Sequence, residues 1–287
     1  MNDIPHTSPA GPDEAFKRRM ETAYTDDYLR IMGIEHYRQG YFTPDVAPDD
    51  LPRALERHVE VLLDPLAIGP QHRVLELGCN LGATTIQLVE RYGCTVHAID
   101  IVDDMARAAA AAVHRRGLAD RAFVATMDAQ RLQFPDGTFD FVVGIEVVYH
   151  FADKAACMRE IFRVLKPGGQ LVLAEYLLQK DAPRLGAHLV RTILESDHIE
   201  DAEQYERHLA AAGFAPARIT DHAMQTVVAT TRAFNSERYR RRSRAYAAVY
   251  FGVLFALAMP AFYKLWELMF RRGYARYVFL YSQRKDG

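Results

Sequence analysis

The run Val74-Leu75-Glu76-Leu77-Gly78-Cys79-Asn80-Leu81-Gly82-Ala83 constrains this chain more than any other stretch. A short apolar segment of β character carries an acid, passes through a glycine-bearing loop, and enters the helical pattern Thr84-Thr85-Ile86-Gln87-Leu88-Val89-Glu90-Arg91. Strand, tight loop and helix in that order open a nucleotide-binding α/β sheet. Gly78 has no Cβ, so a ligand can lie against its backbone, and Gly82 lets the helix start close to the strand. Asn80 stands where a third glycine is expected, and asparagine tolerates positive φ better than other residues with side chains. The G-x-G-x-x-G spacing of dinucleotide sites is absent. An acid just before the first glycine repels a pyrophosphate at the helix N-terminus and suits a ligand with an ammonium group.

From Arg73 onward strand and helix patterns alternate. Strands are expected over 73–77, 95–100, 122–126, 139–145 and 170–176, with helices over about 83–92, 103–116 and 153–165. Pro167-Gly168-Gly169 turns the chain into the fifth strand; a helix over 201–212 and strands over 217–222 and 274–282 complete the series. Units of this length imply a parallel sheet covered on both faces, with ligands at the carboxyl ends of its strands. Two more acids fall at such ends: Asp100 closes the second strand, and Asp128, followed by Ala129, comes after the third. A carboxylate at Asp100 can accept both hydroxyls of a ribose, and one at Asp128 can accept from an adenine amino group while Ala129 packs beside the ring. Taken singly, each acid is a common cap or turn residue. Together, around one glycine loop, they form a specific pattern.

Glu76, Gly78 and Gly82 resemble motif I of the class I S-adenosylmethionine (SAM) methyltransferases, with Asn80 a departure from it. Phe134-Pro135-Asp136-Gly137-Thr138-Phe139-Asp140-Phe141-Val142-Val143 and Arg163-Val164-Leu165-Lys166-Pro167-Gly168-Gly169 are similar to the same family, so the resemblance covers about residues 70–220. It implies an α/β, Rossmann-like, seven-stranded methyltransferase sheet with the last strand reversed. It also implies SAM as cofactor, held by Glu76, Gly78, Asn80, Gly82, Asp100, Ile101, Asp128, Ala129, Ile145 and Tyr41.

The phrase Gly144-Ile145-Glu146-Val147-Val148-Tyr149-His150-Phe151 resembles a subset holding sterol and tocopherol C-methyltransferases, phthiotriol O-methyltransferases and rebeccamycin-type sugar O-methyltransferases. These share an E-x-x-x-H pattern, matched by Glu146 and His150. The sterol enzymes also carry an acid at the end of strand five, matched by Glu175. These three are the candidate catalytic residues. In an O-methylation His150 can take the hydroxyl proton, its free pKa lying close to working pH. In a C-methylation of an alkene, Glu146 or Glu175 can stabilise the cation and remove a proton. Two plainer readings stay open: His150 bonding loop backbone, and Glu146 holding cofactor or acceptor hydroxyls.

The flanks set the domain organisation. Residues 1–12, rich in Pro, Ser, Gly and Asp, are expected to be a disordered tail. Residues 13–70 are expected to form N-terminal helices and a lid, 71–222 the SAM-binding core, 223–273 a helical cap inserted between strands six and seven, and 274–287 the final strand. The aromatic cluster Gly33 to Phe42 reads either as that lid or as a staple fixing the N-terminal helices. In the insertion, Arg238, Arg240, Arg241, Arg242 and Arg244 precede an uncharged run of 19 residues, 245–263. That length is near a membrane span, but the final strand must return to the same sheet. The competing readings are a helix lying on a membrane surface and a cap over the acceptor pocket. As a cap, its apolar residues, Leu254, Leu257, Met259, Trp266, Met269 and Phe270 among them, argue for a hydrophobic acceptor.

Lys and Arg total 35 against 37 Asp and Glu, which excludes a nucleic-acid-scale basic field. Cys79, Cys94 and Cys157 show no metal-ligand spacing, and the N-terminus lacks a signal-type apolar stretch; the expected location is cytoplasmic, at most peripheral to a membrane. No metal site is expected from the chain, although a diphosphate-bearing acceptor can bring magnesium. The expected activity is methyl transfer from SAM to carbon or oxygen of a terpenoid, prenylated or lipid-like molecule. The alternatives are O- or N-methylation of a polar hydroxylated natural product, a non-catalytic SAM-binding partner subunit, and an NAD-linked dehydrogenase, which the missing dinucleotide fingerprint disfavours.

Overall fold

Seven strands form a single sheet in the computed structural model, which describes residues 31–34, 38–250 and 253–285. The chain enters through helix α1 (Leu51–Leu63), then β1 (Arg73–Leu77), α2 (Ala83–Tyr92), β2 (Thr95–Asp100), α3 (Asp103–Arg115) and β3 (Ala122–Thr126). It continues through β4 (Phe139–Ile145), α4 (Lys154–Val164), β5 (Leu165–Leu178), α5 (Arg184–Ile193), α6 (Ala202–Ala212) and β6 (Arg218–Asp221). Three helices follow, α7 (Ala229–Asn235), α8 (Glu237–Tyr250) and α9 (Val253–Arg271), before β7 (Ala275–Gln283). The strand order is β3-β2-β1-β4-β5-β7-β6, with β7 antiparallel to both neighbours. That is the seven-stranded arrangement with a reversed last strand. The order reverses between β1 and β4, and the loops leaving their carboxyl ends diverge there to leave a crevice.

Side-chain alternation along the strands splits the core in two. Val74, Val96, Val143 and Val172 face Val59 and Leu62 of α1, Leu88 and Val89 of α2, and Ala109 and Val113 of α3. Leu75, Ile99, Val142 and Leu171 face Met158 and Ile161 of α4, and Tyr205 and Leu209 of α6. Each such fully buried aliphatic side chain contributes about 1.5–3 kcal/mol. Local signals end the helices where they should: Asp153 accepts from the Ala156 amide at 2.8 Å, Asp201 and Gln204 form a capping box, and Gly213 closes α6 at φ 102°. The fifth strand is longer than the 170–176 expected. Pro167-Gly168-Gly169 makes a register shift within it, so that Leu165 already pairs with Phe139.

The insertion between β6 and β7 contributes one side of its last helix to the core. Trp266, Met269 and Phe270 of α9 join the first core, with Trp266 6.2 Å and Phe270 6.1 Å from Tyr176 between ring centroids. The uncharged run is divided between α8 and α9, which pack on each other through Ala247, Ala256 and Met259. No helix among the described residues is long and apolar enough to cross a membrane. Residues 1–30, which hold the expected tail and the start of the expected N-terminal helices, and Glu35-His36-Tyr37 of the expected lid lie outside the described residues.

Packing of α9 on the sheet predicts that Trp266→Ala costs about 3–5 kcal/mol of stability by urea unfolding. A loss under about 1 kcal/mol would put this helix outside the core.

Candidate active site

The loop after β1 owes its shape to three residues with positive φ: Gly78 at 65°, Asn80 at 48° and Gly82 at 84°. A Cβ on Gly78 would meet Val147 Cγ2 at 2.5 Å, and one on Gly82 would meet Ala109 of α3 at 3.0 Å. Both glycines are therefore required by protein packing. Gly78 leaves room for the loop after β4 and Gly82 for the neighbouring helix, whereas a ligand and the adjacent strand were expected in those places. Asp100 fastens the loop from the next strand: its Oδ2 accepts from the Asn80 amide at 2.9 Å and its Oδ1 from the Val102 amide at 3.0 Å. Burial raises the Asp100 carboxyl, and these amides offset part of the rise.

A cavity of about 1030 Å³ opens beside this loop. At one end Ile101, Val102, Met105, Met127, Asp128 and Ala129 line it, and Gln130 donates to Asp128 Oδ1 from its backbone at 2.8 Å. Gly78, Asn80, Asp100, Ile145 and Glu146 line the middle. Glu76 stands off this cavity in a chamber of about 40 Å³ that shares Gly78, Asn80 and Ile145 with it. Burial pushes Glu76 up to about 7, and the Thr85 hydroxyl, 2.5 Å from its Oε2, and the Arg38 charge hold it down. Gly82 lines neither space among the described residues, and Tyr41 is turned away: its hydroxyl lies 3.0 Å from His222 Nδ1 and its ring packs on Phe279 of β7. Tyr41 thus belongs to the core beneath β7, a correction to its expected place at the cofactor.

The loop after β4 forms the next wall. Glu146 sits in the left-handed region at φ 55°, a sparsely populated conformation for a side-chain-bearing residue. Its Oε1 accepts from the Gln39 amide and from the Tyr277 hydroxyl, each at 2.8 Å, and burial raises the carboxyl to about 7. Arg38 holds the same incoming segment by bonding Thr84 Oγ1 at 2.6 Å and the Leu55 carbonyl. Glu175 does not face the cavity as expected. It is fully buried and accepts from the amides of Val147, Val148 and Tyr149 at 3.2, 2.8 and 3.2 Å, so it positions the loop that carries His150. Burial pushes it up to about 8, against the pull of those amides. His150 lines the cavity with its ring 3.9 Å from that of Tyr149.

Beyond His150 the wall is α5 and the loop after it. His188, Arg191, Thr192 and Glu195 line the cavity with Asp197 and His198. Ser196 Oγ donates to the Tyr149 carbonyl at 2.8 Å, and the buried Lys154 ammonium bonds the carbonyls of Phe151 and His198. These residues formed no part of the sequence reading, although 188, 191, 192 and 195 follow helical spacing and so mark a polar face. Among the described residues none of the insertion 223–273 lines the cavity, so its apolar side chains say nothing of the acceptor.

The donor and acceptor set suits SAM. The Asn80 side-chain carbonyl is buried beside the cavity without a partner, Asp100 and Asp128 present carboxylates to it, and their neighbours Ile101, Met127 and Ala129 are apolar. Among the described residues no cluster of potential metal ligands is found.

Two measurements test this arrangement. Asp100→Ala should weaken SAM binding about 10–100-fold by calorimetry, the scale of one or two lost charge-assisted hydrogen bonds; unchanged affinity would place the ribose elsewhere. Stability should also depend on pH through two opposed sets of buried groups. His58 and His97 are held below their usual value by burial, the latter to about 4, so the unfolded chain binds more protons and this pair favours folding more as pH rises toward about 6.5. Glu76, Glu146 and Glu175 are raised from 4.5 to about 7, 7 and 8, so the folded chain holds the extra protons from about pH 4.5 upward. The stability these acids give is lost progressively until about pH 8, unopposed by the histidines above about 6.5. The Tm should fall from about pH 6.5 to 8, and Glu146→Gln should flatten that fall.

Comparison with known proteins agrees with the site. Residues 75–173 match the family described as Methyltransferase domain. A methyltransferase of Streptomyces halstedii, GfsG, is 29% identical over 218 residues, covering 74% of this chain and 78% of its own. The 27-O-demethylrifamycin SV methyltransferase of Amycolatopsis mediterranei is 28% identical over 210 residues, 72% and 76% of the two chains. The cyclopropane synthase MmaA2 of Mycobacterium tuberculosis shares the fold, with a TM-score of 0.79 at 16% identity over 94% and 98% of the chains. Residues 75–173 thus carry a methyltransferase domain, and the relatives that match the chain beyond it support an enzyme that moves a methyl group from SAM to a small molecule.

Proposed function

We propose that this enzyme methylates a hydroxyl oxygen of a hydroxylated natural product, with His150 taking the hydroxyl proton. The observation that carries this reading is the polar wall beyond His150: His188, Arg191, Thr192 and Glu195 offer donors and acceptors where a prenyl or sterol acceptor would need apolar lining. The Amycolatopsis relative, named for 27-O-demethylrifamycin SV, fits an acceptor of this kind.

SAM supplies an activated methyl carbon on its sulfonium. In this reading Asp100 and Asp128 orient the cofactor through its ribose and adenine, with Ile101 and Ala129 against the ring. Glu76, Gly78, Asn80 and Ile145 surround its methionine end, where the Glu76 carboxylate attracts an ammonium group. The wall from α5 holds the acceptor hydroxyl in line, and positioning of two reactants supplies most of the acceleration. His150 accepts the proton as the oxygen takes the methyl group from the sulfonium. Glu175 acts through the loop amides, and Lys154 ties that loop to the acceptor wall.

A second reading, C-methylation of a terpenoid or prenylated acceptor, is favoured by Glu146: a carboxyl raised to about 7 in the cavity wall suits proton removal from a carbocation. Two variants separate the readings. For O-methylation, His150→Ala should lower kcat about 10²–10⁴-fold with SAM affinity unchanged, while Glu146→Gln should be mild. The reverse ranking, with a C-methyl product by NMR, would transfer the base role to Glu146. Full turnover in both variants would remove both assignments.

A further inference from the structure

Seven large hydrophobic side chains are exposed among the described residues, and five of them, Val253, Leu254, Leu257, Leu265 and Leu268, belong to α9. Leu254, Leu257, Leu265 and Leu268 fall on one face of this helix by their spacing, and 19 residues give it a length of about 28 Å. Trp266, Met269 and Phe270 occupy the other face, against the sheet. Leu254 is 84% exposed and Leu257 63%. Scattered surface leucines are ordinary, whereas a row along one helix marks a contact surface.

Charge identifies what the row contacts. Residues 237–272 contain eight Lys and Arg against Glu237 and Glu267, a net of +6 in a chain whose overall charge is −2. Arg238, Arg240, Arg241 and Arg244 of α8 are exposed, and Lys264 and Arg272 accompany the leucines on and beyond α9. Glu267 is turned to Arg232 and Arg271, with bonds of 2.9 and 2.6 Å, so its charge is already matched. A second copy of the chain would bring +6 against +6. An apolar face with basic surroundings is instead the pattern of a helix lying in the headgroup region of a bilayer.

We propose that α8 and α9 dock this enzyme on an anionic lipid surface, the α9 leucines entering the headgroup region and the arginines meeting lipid phosphates. Among the described residues neither helix is long and apolar enough to cross the bilayer. The contact lies on elements that do not line the cavity, so it is independent of the acceptor assignment.

Flotation of the full chain with vesicles tests this. Binding should be strong on phosphatidylcholine vesicles containing about 30% phosphatidylglycerol and weak on phosphatidylcholine alone, and should decline as salt rises from about 0.1 to 0.5 M. The double variant Leu254→Asn with Leu257→Asn should bind anionic vesicles at least about tenfold more weakly at unchanged Tm and SAM affinity. Equal retention of wild type and double variant would overturn the proposal, as would no binding to anionic vesicles. A concentration-dependent dimer lost in that variant, without vesicle binding, would assign the row to a second copy and likewise overturn it.

Discussion

A carboxylate buried near the end of β5 holds the loop that carries the proposed base. Glu175 gathers three successive amides, from Val147 to Tyr149, that would otherwise be unsatisfied where the chain leaves β4. Once those amides are collected, the loop has one shape. Val147 fills the space that Gly78 leaves, Glu146 is forced into the left-handed region, and His150 is presented to the cavity. The Tyr149 carbonyl then receives Ser196, which brings the segment after α5 into the same wall. One desolvated acid therefore organises the loop after β4 and, through Tyr149, the wall that follows α5.

The acids around the cavity differ in what surrounds them, and that difference separates their uses. Glu175 meets only backbone donors and is locked. Glu76 is braced by Thr85 in its side chamber, and Asp100 divides its oxygens between two loops. Glu146 shares one oxygen between an incoming strap and the phenol of Tyr277, which also lies 3.1 Å from the buried His58. Desolvation raises all four, so each is held in place by the donors that the fold aims at it.

Much of this was legible from residue order alone, because strand alternation, helix spacing and turn residues are local properties. The bounds of β1 through β4 and of α2 follow from such patterns, and the glycine loop with its acids announced the family. The misplacements share one cause. Tyr41 and Trp266 are apolar enough to line a pocket or to fill a core, and nothing in their neighbourhood says which. Glu175 stood at an expected strand end, as a catalytic acid would, but its direction depends on amides contributed by the loop after β4, nearly thirty residues earlier. The polar face of α5 was visible as a period, yet a polar face ordinarily meets water. Only the return of that helix across the carboxyl ends of the strands turns it toward the cavity.

What the sequence determined by itself is therefore the sheet, its order of construction and the class of cofactor, since these rest on short-range patterns that few other folds satisfy. What the tertiary structure alone decided is which groups face the cavity. That depends on packing between segments far apart in the chain: Gln39 and Tyr277 on Glu146, Lys154 on His198, and an insertion whose bulk joins the core instead of roofing the site. Side-chain direction at such places is set by which buried donors and acceptors must find partners, and the chain reveals those partners only when it closes on itself.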